Sequence, residues 1–198
     1  GYFQTEGMRS LVQQDPVRFL EMKVLGRYPS SVRAVGFKLF YYHARDGAKA
    51  AVWPYLRARR DLKVIHLKRR NLLQTHLSRK RAALTDRWVN TSGQPDSSVV
   101  VRLDYEECFN DFVQTRAWEE QADRYFADHA TVQVEYERLS SDYRTEARVI
   151  QEFLGLQPHP VSPSTFQQAR QPLSAIISNY AELKQRFSGS AWSEFFIE

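Results

Sequence analysis

The sequence predicts an α/β domain of three layers, α/β/α, with a central parallel sheet. Two observations carry this. The runs Ala34 to Tyr41 (AVGFKLFY) and Asp61 to Leu67 (DLKVIHL) are short, apolar and rich in β-branched or aromatic residues, as strands buried on both faces are. Segments with helical spacing alternate with them, and that alternation builds parallel sheets through right-handed crossovers.

In chain order, Asp15 to Leu25 places Val17, Leu20, Val24 and Leu25 at helical spacing, with Pro16 in the first turn behind Asp15 as N-cap. The first strand, 34–41, is interrupted by Lys38. A helix over Ala48 to Arg59 leads to the second strand, and a long, very basic helix is expected from Asn71 to Trp88. Asn90 to Ser98 (NTSGQPDSS) has the composition of an exposed loop and is the clearest internal break. Val99 to Leu103 reads as a third strand, Tyr105 to Asp128 as an aromatic-rich helix and Thr131 to Glu135 as a fourth strand. A helix from Asp142 to Leu154 ends at Gly155.

A chain of 198 residues with 42% hydrophobic content can bury one substantial core, so a single domain over 1–198 is expected. The formal charge of +5 favours an anionic partner without naming it. Cys108 is the only cysteine, which excludes an intrachain disulfide, a thiolate metal cluster and a CxxC redox pair, and suits a reducing, cytoplasmic setting. No apolar run approaches the roughly 18 residues of a membrane span, and no signal segment opens the chain. The oligomeric state is left open.

Chemistry concentrates in four places. In Ile65 to Ser78 (IHLKRRNLLQTHLS) a strand ends at two arginines, and Ser78 follows Arg70 eight residues later. Eight helical residues span about 12 Å, so a bent entry must bring Arg70 back towards Ser78. A guanidinium fork and a hydroxyl suit one phosphate. The same stretch, with Lys68, Arg69, Arg79, Lys80 and Arg81, also reads as a solvated basic face. Tyr136, with Glu137 after it, ends the strand of VQVEYERLSSDYRTEARVIQEFLGL, at the edge where open α/β sheets bind ligands; a cap-packing role is the alternative. Lys38 would be costly to bury without an anion or a carboxylate partner. His43 follows the same strand, where a general base could lie or a structural histidine could pack.

Together these stretches resemble the PAPS-dependent sulfotransferases, whose 3′-phosphate motif is a strand, an arginine and a serine eight residues on. The segment ARQPLSAIISNYAELKQRFSGSAW is similar to the C-terminal part of the bacterial trehalose-sulfating and nodulation-type branch. The resemblance covers most of the chain and implies a P-loop NTPase-like sulfotransferase fold. It implies that PAPS (3′-phosphoadenosine 5′-phosphosulfate) is the co-substrate, held by Arg70, Ser78, Tyr136 and Arg170, with no metal. Asn179 and Tyr180 could as easily cap and pack. It further implies Glu6 or His43 as the base and Lys38 at the leaving phosphate. The acceptor would be a hydroxyl of a carbohydrate, a lipid or another small molecule, with no nucleic-acid partner.

The chain departs from that family in one respect. The phosphosulfate loop, a strand followed by a Gly/Ser/Thr-rich turn and a helix, is not found: Gly7, Gly26, Gly36 and Gly47 are isolated, and Ser188-Gly189-Ser190 follows no buried strand. About 30 residues carrying that unit are expected upstream of Gly1. A degenerate nucleotide-binding module is the alternative if the loop is truly missing. A P-loop kinase would need a Walker lysine, which is not present, and a nucleic-acid module would use the basic helix.

Overall fold

The computed structural model of the chain describes residues 6–88, 99–164 and 171–197. The expected loop over 90–98 and the candidate Arg170 lie outside them. The described chain is helix-rich, and its sheet holds two parallel strands, β1 (Val64–Lys68) and β2 (Thr131–Glu135).

The chain divides into two compact units. The first comprises Gly1–His66, Glu119–Gln133 and Arg148–Pro158, and the second Leu67–Trp118, Val134–Ala147 and His159–Glu198. Both strands change unit partway along.

In the first unit, α1 (Glu6–Gln14) leads into α2 (Pro16–Phe19), which continues as a π turn over Leu20–Val24. Asp15 starts α2 as the sequence predicts: its carboxylate accepts from the Arg18 N–H at 3.0 Å, and Pro16, which has no N–H to orphan, occupies the first turn. A 3₁₀ turn, Gly47–Ala51, runs into α3 (Val52–Ala58). Phe19, Leu20, Val52 and Leu56 form the core here, with Leu39, Leu62 and Phe126 packed on it. Full burial of such a side chain is worth about 1.5–3 kcal/mol.

In the second unit, α4 (Leu72–Thr85) is capped by Asn71, whose side-chain oxygen accepts from the Gln74 N–H at 3.1 Å. The unit also holds most of α5 (Tyr105–Tyr125), all of α6 (Tyr136–Ser141), the start of α7 (Tyr143–Leu154), α8 (Leu173–Ile176), α9 (Tyr180–Arg186) and a closing 3₁₀ turn, Ser193–Phe196. Its core is Leu72, Leu73 and Leu77 against Phe112, Phe187, Phe195 and Phe196. Phe112 meets Phe195 edge-on at 5.2 Å, a geometry that suits the ring quadrupoles. The α7 helix ends as predicted: Gly155 takes φ +78°, and the Gly155 and Leu156 N–H groups close back on the Glu152 and Gln151 carbonyls, both at 2.9 Å.

Two expected strands do not form. Residues 34–40 carry no regular secondary structure and lead into a turn at Tyr41; they join no ladder among the described residues, and Val35, Phe37 and Phe40 stand about two-fifths exposed. A strand exists only where a neighbour takes its N–H and C=O groups, and apolar composition does not supply that neighbour. The 99–103 segment is reduced to one parallel bridge, Val101 to Ile177. Beside it the buried Asn179 side chain substitutes for a ladder, accepting from the Leu103 N–H at 3.1 Å and donating to the Leu103 carbonyl at 2.9 Å. Asp61, expected in the second strand, instead accepts from Arg59 at 2.8 and 2.6 Å, and the strand starts at Val64. Among the described residues, no helix is long and apolar enough to cross a membrane.

Candidate functional site

The turn between β1 and α4, in the second unit, gathers the polar groups. β1 ends at Lys68, Arg69 and Arg70 form the bend, and Asn71 opens the helix. The first N–H groups of any helix lack intrahelical acceptors, so such a turn is a natural seat for an anion. Here the Glu137 carboxylate fills that role, taking the Arg70 N–H at 3.1 Å and the Asn71 N–H at 3.3 Å. The Arg116 guanidinium donates to the Arg70 carbonyl at 3.0 Å, and the Asn71 amide donates to the Phe195 carbonyl at 3.0 Å. Three separate segments therefore fix the backbone of the turn.

The Arg70 side chain leaves the turn and meets Glu135, the last residue of β2, at 2.8 Å. Both are well exposed, at 65% and 46%. The hydrogen bond that Arg70 donates to Glu135, with the charge of that carboxylate, raises the Arg70 pKa further above its ordinary value, and Arg70 holds the Glu135 carboxyl below its own. An exposed guanidinium paired with an exposed carboxylate can exchange it for a stronger bidentate anion.

Tyr136 begins α6 directly after β2, and the Arg69 guanidinium lies 3.7 Å from its ring centroid. One face of that ring is thus covered by a cation. Ser78 lies half-buried on α4, two turns beyond the bend. The Arg70 guanidinium is turned to Glu135. Asn179 and Tyr180 take packing roles: the Tyr180 hydroxyl donates to the Phe196 carbonyl at 2.7 Å, in the core.

The other predicted residues belong to the first unit. Lys38 is exposed, its ammonium 4.8 Å from the Phe40 ring centroid, so the premise of a buried lysine seeking an anion does not hold. With no ladder formed around it among the described residues, its side chain stays at the surface. His43 is exposed in the turn after 34–41. Its Nδ1 accepts from the Phe40 N–H at 3.4 Å, and its ring stands edge-on to Phe40 and Tyr42, 4.9 Å from each. Glu6 is the exposed first residue of α1.

The basic helix is largely answered within the fold. Arg79 pairs with Asp111 and Lys80 with Glu107. Among the described residues, no group of three His, Cys, Asp or Glu side chains could hold a metal ion. Sequence reasoning missed Glu135, Arg116, the contact of Arg69 with Tyr136 and the backbone role of Glu137, since partners 46 to 67 residues apart leave no local pattern.

Comparison with known proteins identifies no relative: no family model, curated protein or solved structure matches the chain.

Proposed function

We propose that the chain is part of a PAPS-dependent sulfotransferase of three-layer α/β/α, P-loop-like architecture, and that the β1–α4 turn receives the 3′-phosphate of PAPS. The observation that carries the reading is the turn itself, a strand end and a helix start that already hold a carboxylate on two backbone N–H groups with Arg70 beside them. A phosphate offers the same acceptor chemistry with more charge, so these donors fit it.

In this reading PAPS supplies the sulfuryl group. The acceptor hydroxyl oxygen forms the new S–O bond, the S–O bond to the 5′-phosphate breaks with its electrons going to that phosphate, and the hydroxyl proton passes to a base. Positioning and charge stabilisation do most of the work, and no metal is required. Arg70 contributes bidentate charge, Arg116 and Asn71 hold the turn in shape, and Tyr136, backed by Arg69, offers an aromatic ring to the adenine. Glu6 and His43 remain the candidate bases and Lys38 the candidate for the leaving oxygen, by resemblance alone. A carbohydrate, lipid or small-molecule hydroxyl as acceptor, and a cytoplasmic site of action, belong to the same proposal. The pairing of Arg79 and Lys80 with acids leaves the nucleic-acid reading less support.

The test compares 3′-phosphoadenosine 5′-phosphate with AMP as ligands in a thermal-shift titration. The reading expects stabilisation by the first alone, and equal responses would count against it.

A further inference from the structure

The first unit forms an open pocket of about 680 Å³, within the roughly 300–1,000 Å³ range of small-molecule sites. Its wall is largely apolar, with Val35, Phe37, Trp53, Leu56 and Phe126 among the lining residues. Three polar side chains on that wall are joined in a chain. The Tyr41 hydroxyl lies 2.7 Å from His66 Nε2, and His66 Nδ1 lies 2.8 Å from Asp123 Oδ1. Gln133 adds a longer contact to the same carboxylate oxygen at 3.5 Å.

The carboxylate fixes the proton positions. An ionised Asp123 only accepts, so His66 Nδ1 carries a proton, and in the neutral ring Nε2 is then the acceptor for the Tyr41 O–H. His66 is only 8% exposed, so the imidazole is held in one orientation. The other titratable groups on the wall are engaged elsewhere: the Lys63 ammonium donates to the Phe153 carbonyl at 2.7 Å, and His129 Nε2 is 3.2 Å from the Leu56 carbonyl.

We propose that Tyr41, His66 and Asp123 form a proton relay that makes the Tyr41 phenol a nucleophile towards a small molecule with an apolar body and an electrophilic acyl or sulfonyl head. The phenol oxygen bonds to the electrophilic carbon or sulfur, and the leaving group departs with its electron pair. The phenol proton moves to His66 Nε2, and Asp123 holds the Nδ1–H of the resulting imidazolium. This site does not rest on the sulfotransferase reading.

The probe is benzenesulfonyl fluoride, applied to the full chain and mapped residue by residue by mass spectrometry. Tyr42, 54% exposed and one residue away, is the internal reference. Tyr41 is expected to react about 100-fold faster than Tyr42, at the lower end of what general-base assistance gives. His66→Phe should bring Tyr41 down to the Tyr42 rate while the Tyr42 rate and the far-UV spectrum stay unchanged. Should His66→Phe fail to fold, Asp123→Asn carries the comparison, with a loss of about tenfold expected at Tyr41. A Tyr41 rate no faster than that of Tyr42, or a fast rate that survives loss of the imidazole or of the carboxylate, overturns the proposal and leaves a purely structural hydrogen-bonded chain.

Discussion

Arg70 and Glu135 pair at 2.8 Å, one just past the end of β1 and the other at the last residue of β2. The acid occupies the fork that the proposed phosphate needs. Glu135→Gln should therefore raise affinity for 3′-phosphoadenosine 5′-phosphate a few-fold by freeing the guanidinium, as calorimetry would read. A loss of affinity would mean that Glu135 orients Arg70 rather than competing for it.

Glu137 holds the turn through the Arg70 and Asn71 N–H groups. Glu137→Gln keeps an acceptor but loses the charge, and should weaken the turn by about 1–2 kcal/mol, the usual worth of a charge-assisted bond over a neutral one. Amide exchange at Arg70 and Asn71 should speed up accordingly. Unchanged protection there would show that the turn stands without the carboxylate.

Asp111 gives a pH dependence. Burial pushes its pKa up, but the hydrogen bond from His76 and the nearby Arg79 charge outweigh burial and leave it below the ordinary carboxylate value. A depressed folded-state pKa contributes stability above the unfolded value, near 4, and that contribution is lost as pH falls through the folded value. Asp111→Asn should lower stability at pH 7 by about 1–3 kcal/mol and shrink the loss seen on acidification below about pH 4. Denaturant melts of both proteins at pH 7 and pH 3 check this.

Cys108 is fully buried, and desolvation, with the charges of Asp111, Asp104 and Glu107, pushes its thiol up to about 12. A disulfide reagent at pH 8 should leave it untouched in the folded chain and titrate one thiol after denaturation. Rapid reaction in the native state would contradict the packing around α5.

Asn179 replaces a strand neighbour for Leu103 with two hydrogen bonds from one buried amide. Asn179→Ala leaves both backbone groups without that partner and should cost about 1–3 kcal/mol, measured by urea unfolding. A change within error would place the support of 99–103 elsewhere.

Local chemistry made the helices legible. Asp15 with Pro16 marks the start of α2, and Gly155 marks the end of α7 because only a residue tolerant of φ +78° closes that turn cheaply. β1 and β2 were also visible as short strand-like runs. The 34–41 run looked equally strand-like, yet pairing is a property of two segments, and no strand among the described residues joins it. Much the same limit applied to the site. Arg70 at a strand end was readable, whereas its partner Glu135 stands 65 residues away and only the fold connects them. Lys38 misled because its apolar surroundings in sequence are exposed in space.

The central claim is that the β1–α4 turn binds the 3′-phosphate of a nucleotide, and calorimetric titration of the chain and of Arg70→Ala with 3′-phosphoadenosine 5′-phosphate and AMP tests it most directly. The account predicts binding that prefers the 3′-phosphorylated nucleotide and a loss of about tenfold or more in Arg70→Ala, the scale of a charge-assisted phosphate contact. Equal affinity for both nucleotides, no binding of either, or an affinity that does not change when Arg70 is removed would contradict it.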